Sequence, residues 1–299
     1  MSASSNKPPP RGEMIAVGAG RRLHLVRAGP RDAAGPAVLL EAGSFGFSAD
    51  WAAVQAVLAT EGLRSMAYDR AGLGFSEPGP APRDGLAIVG DLEVLLAEAG
   101  EAGPFILCAH SMGGLHVHLY AARNRARVAG LVLVDAATPA SMDSRRVSAA
   151  IDQFGHATRL AAWGAEAGFF GPFAATSLGD KIGLEGAASV EKRWAFARGD
   201  HNRWSAEEVG EWPRAARQAL EAGDLDPAWP VAVVLAGPPD ERAWLKSLLA
   251  APARRARNGL VEHVATADHA SLLGVRHAQA VARAVRWVGA AAVERRRRP

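Results

Sequence analysis

Short apolar segments recur along the chain, and between them the hydrophobic positions fall at helical spacing. Pro36 to Leu40 and Val128 to Val134 carry no charged side chain, as strands buried on both faces should. Leu63 to Tyr68, Phe105 to Ala109, Val231 to Leu235 and Val261 to Ala265 continue the series. The intervening stretches predict helices from about Asp50 to Glu61, Gly85 to Ala99, Arg242 to Ala250 and Ala278 to Ala292, and another after Ser111 to about Asn124. Strands and helices alternating in this way predict an α/β fold, with right-handed crossovers and a mostly parallel central sheet flanked by helices. Ahead of it, Met14 to Gly29 reads as two short strands joined at Gly18-Ala19-Gly20, with Leu23, Leu25 and Ala28 facing inward.

The alternation stops between Pro139 and about Pro227, where Gly, Ala, Trp and charged residues mix at helical spacing and no apolar strand run occurs. This segment is expected to be a helical insertion that interrupts one sheet. The implied organisation is a disordered lead-in over 1–11, a first core part over 12–138, the insertion over 139–227, a second core part over 228–292 and a basic tail over 293–299. More than half of the chain's Phe, Trp and Tyr residues fall between Pro139 and Pro230: Phe154, Trp163, Phe169, Phe170, Phe173, Trp194, Phe196, Trp204, Trp212 and Trp229. An insertion needs its own core, and the surplus is expected to line an apolar pocket.

Composition narrows the function classes. A net charge of +3 in 299 residues gives no dense basic face, which argues against a nucleic-acid partner. The single cysteine, Cys108, can form no intrachain disulfide, and no Cys-x-x-Cys pair is present, so a reducing, cytoplasmic setting fits. Met1 to Pro10 has no apolar run of the kind a signal peptide needs. The long uncharged stretch from Gly103 to Ala122 contains three histidines, a serine and several glycines, so it reads as buried core and no membrane partner is expected.

The chemistry concentrates at strand ends. Ala109-His110-Ser111-Met112-Gly113-Gly114 lies where a buried strand meets a helix, the context of a nucleophile elbow. The turn is so sharp that residues two before and two after the serine must be small, and Ala109 and Gly113 are. His269 follows the last strand, at the carboxyl edge where open α/β sheets place their sites, and is the expected general base. His116 and His118 are two apart on a helix, about 200° around its axis, and cannot share a metal ion. His110 is read as structural, and the remaining histidines have no ligand spacing, so no metal is expected. Gly72-Leu73-Gly74 lacks the third glycine and following helix of a dinucleotide fingerprint and reads as a structural turn.

Four landmarks in order resemble the α/β-hydrolase family over about Gly12 to Ala292. They are Leu40-Glu41-Ala42-Gly43-Ser44-Phe45-Gly46, Tyr68-Asp69-Arg70-Ala71-Gly72-Leu73-Gly74-Phe75-Ser76, the elbow, and Ala267-Asp268-His269. The first is similar to the family's oxyanion loop, although Ala42-Gly43 stands where the family often has His-Gly. The resemblance implies backbone N–H donors at Ser44 and Met112, with Phe45 the alternative to Ser44. It also implies a carboxylate partner for His269: Asp240, in the family's usual place, or Asp135, at the end of the preceding strand, where some members carry it. A Ser nucleophile argues against the haloalkane dehalogenases and epoxide hydrolases of this fold, which use Asp there. The implied function is a cofactor-free serine hydrolase that cleaves a small or medium apolar carboxylic ester through an acyl-enzyme. Amide or carbon–carbon bond hydrolysis on the same triad, and a non-catalytic ligand-binding regulator, are the alternatives.

Overall fold

The apolar runs assemble into one eight-stranded sheet in the order β1-β2-β4-β3-β5-β6-β7-β8. The structure is a computed structural model that describes residues 7–166 and 181–297. The strands are β1 (Glu13–Ala16), β2 (Arg22–Ala28), β3 (Ala37–Glu41), β4 (Ser65–Tyr68), β5 (Phe105–His110), β6 (Val128–Val134), β7 (Val231–Ala236) and β8 (Gly259–Val264). Only the β1–β2 and β2–β4 pairings are antiparallel; every pairing from β4 through β3 to β8 is parallel. β3, β5 and β6 are buried along their whole length, which explains why their sequences show no alternation.

Helices α1 (Ala52–Thr60), α2 (Gly85–Glu98) and α3 (Gly113–Arg123) follow β3, β4 and β5. The predicted helix at Asp50 divides into a 3-10 turn, Ser48–Trp51, and α1. Asp84 caps α2 by accepting from the Ala87 N–H. After β6 come α4 (Pro139–Met142), α5 (Arg145–Glu166), α6 (Gly186–Phe196), α7 (Gly199–Gly210) and α8 (Trp212–Glu221), with no strand before β7 among the described residues. Phe169, Phe170, Phe173 and the side chain of Trp163 lie outside the described residues. The chain enters the insertion through a capping box in which Thr138 and Ser141 each accept from the other's backbone N–H. Helices α9 (Ala243–Leu249), α10 (Ala251–Arg255) and α11 (Ala278–Arg297) complete the second core part.

Two boundaries differ from the sequence reading. The lead-in expected to be disordered over 1–11 is held at its end, where the Arg11 N–H and Nε both donate to Glu191 of α6, at 3.1 and 2.7 Å. The basic tail expected from 293 is helical to Arg297. Arginine is a good helix former and its charge suits a helix C-terminus, so the run extends α11 instead of ending it.

The core lies on both faces of the sheet. One face holds α2, α3 and the β-strand residues Leu39, Leu107, Leu131 and Val233; the other packs Val38, Cys108, Val132 and Val234 against α1 and α11. The Gly72-Leu73-Gly74 turn is structural, as its sequence suggested, and it seats the insertion. Gly72 (φ +85°) leaves no room for a Cβ beside the Trp204 ring, and the Gly74 N–H donates to His201 Nδ1 at 3.1 Å. His201 is fully buried, and that burial, aided by the charges of Lys192 and Arg198, brings its pKa down from 6.5 to about 3. Between those values an unfolded chain binds a proton that the folded chain does not, so stability falls as pH falls, by about 1.4 kcal/mol per pH unit for such a group. The thermal midpoint is therefore expected to drop between pH 7 and pH 4.5. His201→Asn, which keeps an acceptor for Gly74, should make that drop shallower in a pH series of melting curves; an unchanged slope would contradict the assignment.

Candidate active site

The elbow is formed. Ser111 has φ +54°, a left-handed conformation that costs a non-glycine residue energy, between β5 and α3. The strain is held from both sides: the Ser111 N–H donates to Val134 O at 3.3 Å and its C=O accepts from Ala137 N–H at 2.8 Å. The close approaches that demanded small residues are present. A Cβ at Gly113 would lie 2.7 Å from Glu41 O, and one at Gly43 would lie 2.8 Å from Ser111 Cβ and 3.2 Å from His110 Nδ1. Neither Ser111 Cβ nor the elbow backbone can yield easily, so Gly43→Ala is expected to keep the fold at a cost of about 1–3 kcal/mol while lowering kcat/KM at least tenfold. A chemical melt beside an ester assay checks it; full activity with an intact fold would mean the loop does not bear on Ser111.

His269 meets a carboxylate, but not the one placed first in the sequence. Its Nδ1 is 2.6 Å from Asp135 Oδ2. Asp240, the primary expectation, is exposed in the turn after β7 and makes no hydrogen bond to His269. The reason is backbone geometry. Asp135 has φ +44° and its N–H is pinned to Val234 O at 2.7 Å, which turns its side chain out at the carboxyl end of β6. Burial works to raise the Asp135 carboxyl, but the hydrogen bond and charge of His269 outweigh it and hold the group below the usual carboxylate range; a backbone hydrogen bond from Ala236 adds to this. With a carboxylate accepting at Nδ1, the His269 proton resides there and Nε2 keeps its lone pair, the form a general base needs. The His269 side chain is 52% exposed, so the ring is accessible.

His110 is a neighbour of His269 that its place beside Ser111 did not reveal. Its Nε2–H donates to the His269 carbonyl at 2.8 Å, and the two rings lie 4.5 Å apart. Burial first, then the nearby His269 charge, lowers its pKa to about 3. The expected oxyanion donors are the residues next to Gly43 in the loop after β3 and next to Ser111 at the elbow. Neither the Ser44 nor the Met112 N–H donates a hydrogen bond among the described residues. Phe45, the alternative, has φ +56° at the tip of the loop.

The largest feature missed from sequence is a buried ionic network under that loop. Arg70 bonds Glu41 at 2.8 Å and Glu208 of α7 at 2.9 Å, and Glu41 also takes His116 Nδ1 at 3.0 Å and the Tyr68 hydroxyl at 2.5 Å. Burial alone would raise Glu41, but His116 and Arg70 hold it below its ordinary value. His118, by contrast, bonds the Gly223 carbonyl at 2.7 Å, so the two helix histidines do part company. Among the described residues no group of three or more His, Cys, Asp or Glu side chains is arranged to hold a metal, and no helix is long and apolar enough to cross a membrane.

This fold and elbow define a hydrolase-type scaffold, and comparison with known proteins gives its family. The α/β-hydrolase fold family matches residues 36–237, and the chain belongs to it. Curated relatives match over shorter stretches. An uncharacterized protein of Schizosaccharomyces pombe is 37% identical over 73 residues, 24% of this chain and 14% of that protein. The uncharacterized protein YqjL of Bacillus subtilis is 33% identical over 107 residues, 36% of this chain and 42% of that one. The chain thus covers less than half the length of these relatives. Among solved structures, the haloalkane dehalogenase DbeA of Bradyrhizobium elkani superposes with a TM-score of 0.73 at 20% identity, over 94% of this chain and 98% of that one. A thermophilic esterase of Thermogutta terrifontis superposes with a TM-score of 0.67 at 22% identity, over 94% and 100%. At these identities the likeness is one of fold.

Proposed function

We propose that this chain is a serine hydrolase that cleaves small or medium apolar carboxylic esters through an acyl-enzyme, with Ser111 as nucleophile, His269 as general base and Asp135 as the acid that orients it. The observation that carries the reading is the strained Ser111 at the elbow with the His269–Asp135 pair, 2.6 Å apart, at the neighbouring strand ends. Ser111 attacks the ester carbonyl as His269 Nε2 removes its proton, and the oxyanion is held by the N–H groups of Ser44 and Met112. His269 returns the proton to the departing alkoxide, and water repeats the sequence on the acyl-enzyme. A serine at this position favours acyl transfer over the chemistry of the dehalogenase whose fold it shares, and the Thermogutta terrifontis esterase shows that the same fold carries ester hydrolysis.

The apolar preference rests on an aromatic cluster over the oxyanion loop. Phe45 lies 6.4 Å from Phe154 of α5 and 6.2 Å from Phe196 of α6, and Phe154 stacks on Trp212 at 5.9 Å. In this reading the insertion is a cap whose rings bury the acyl or alcohol chain. Each methylene buried there contributes about 0.8 kcal/mol, up to about a fourfold gain in kcat/KM. Across p-nitrophenyl esters, rates are expected to rise from acetate to hexanoate and benzoate and to stay low for charged acyl groups; a steady decline from acetate upward would remove the apolar pocket from the account.

A further inference from the structure

Three carbonyls of the oxyanion loop are each aimed at a buried cation. Ala42 O accepts from Arg70 Nη1 at 2.7 Å and Gly43 O from Arg70 Nη2 at 2.8 Å. Phe45 O accepts from Lys192 Nζ at 3.2 Å. Arg70 comes from the end of β4, but its carboxylate Glu208 lies on α7, and Lys192 itself lies on α6. Lys192 is held in turn by Asp50 at 2.5 Å and covers the Phe196 ring at 4.4 Å. Glu41, Asp50, Arg70, Lys192 and Glu208 are all at most 5% exposed.

Packing alone does not account for five buried ionisable groups, because aliphatic residues of similar volume would secure the insertion to the core as well or better. What the charges supply is a fixed direction for successive peptide planes. In a trans peptide the N–H points opposite to the C=O. The guanidinium on Gly43 O therefore turns the Ser44 N–H away from Arg70, and Gly43 itself lies against Ser111. The ammonium on Phe45 O secures the other limb of the same turn, where φ is +56°.

We propose that Lys192 and the Arg70–Glu208 pair are positioning residues for the oxyanion hole, so that the helical insertion builds part of the catalytic scaffold and does not merely cover it. The inference rests on the ester-hydrolase reading above. Seating α6 and α7 orients the loop donors; loosening either contact lets the peptide planes turn and weakens the hole without touching Ser111 or His269.

The test compares the wild type with Lys192→Met, with Lys192→Met/Asp50→Asn, in which no unpaired carboxylate is left buried, and with Glu208→Gln, in which Arg70 keeps Glu41. Saturating label with a fluorophosphonate counts intact Ser111 sites in each, so that kcat is read per competent site. At least one Lys192 variant and Glu208→Gln are expected to lose about tenfold or more in kcat with KM within about twofold, and to bind an aryl trifluoromethyl ketone, whose adduct carries the oxyanion, more weakly by the same factor. A role confined to stability would lower the number of labelled sites and leave kcat per site and ketone affinity unchanged, which would overturn the proposal. A wild type that is neither labelled at Ser111 nor active on esters would instead remove the hydrolase reading, and this inference with it.

Discussion

Ser111→Ala is expected to abolish turnover, lowering kcat at least about 10⁴-fold on any ester the wild type accepts, while the melting curve stays close to that of the wild type. The size of the effect follows from the geometry. Ser111 is the residue on which the elbow's strain and the adjoining Gly43 converge, and no other hydroxyl among the described residues sits at a positive φ. Without it His269 can activate only water, which must be positioned anew for each turnover. The strain itself gives a second readout. Alanine tolerates φ +54° no better than serine, so the substitution should neither relieve nor add backbone strain, and any stability change should remain under about 1 kcal/mol. Initial rates with p-nitrophenyl butyrate and a thermal melt on the same preparation measure both quantities.

Asp135→Asn is the second large effect expected, a loss on the order of 10⁴-fold in kcat, against a change within about twofold for Asp240→Asn. The amide is nearly isosteric, so the backbone at Asp135 and its bond to Val234 survive. What changes is the proton on the ring. An amide that presents its NH2 to His269 Nδ1 selects the tautomer with the proton on Nε2, where the lone pair is needed for Ser111. Asp240 is exposed and makes no hydrogen bond to His269, so its carboxylate is not called upon. Equal losses in the two variants would show that the acid had not been located.

The contrast between these two aspartates marks where sequence stops being legible. Both follow an apolar strand directly or within a few residues, and both β6 and β7 run parallel to β5, which ends just before Ser111. Choosing between them depends on a single backbone angle, φ +44° at Asp135, and no residue type announces it, since aspartate is only modestly tolerant of that region. The elbow was legible because its small flanking residues are sterically compulsory, as Gly113 against Glu41 O shows. β3, β5 and β6 were legible because burial on both faces leaves few polar residues in them. The ionic network was not, because Arg70 and Glu208 are 138 positions apart, and pairing over such a distance leaves no local pattern. One signal was available: Glu41 ends an otherwise apolar run that reads as a fully buried strand, and a carboxylate there requires a cation. His110 gave no such signal, for its bond is to the backbone of His269, which any residue could have supplied.

The most direct test of the account is to treat the wild-type protein with a fluorophosphonate and map the adduct by mass spectrometry after digestion. One adduct per chain is expected, on the peptide containing Ser111, formed far more slowly in Asp135→Asn than in Asp240→Asn. No adduct, or an adduct on another residue with Ser111 unmodified, would contradict the assignment of Ser111 as a nucleophile driven by His269 and Asp135.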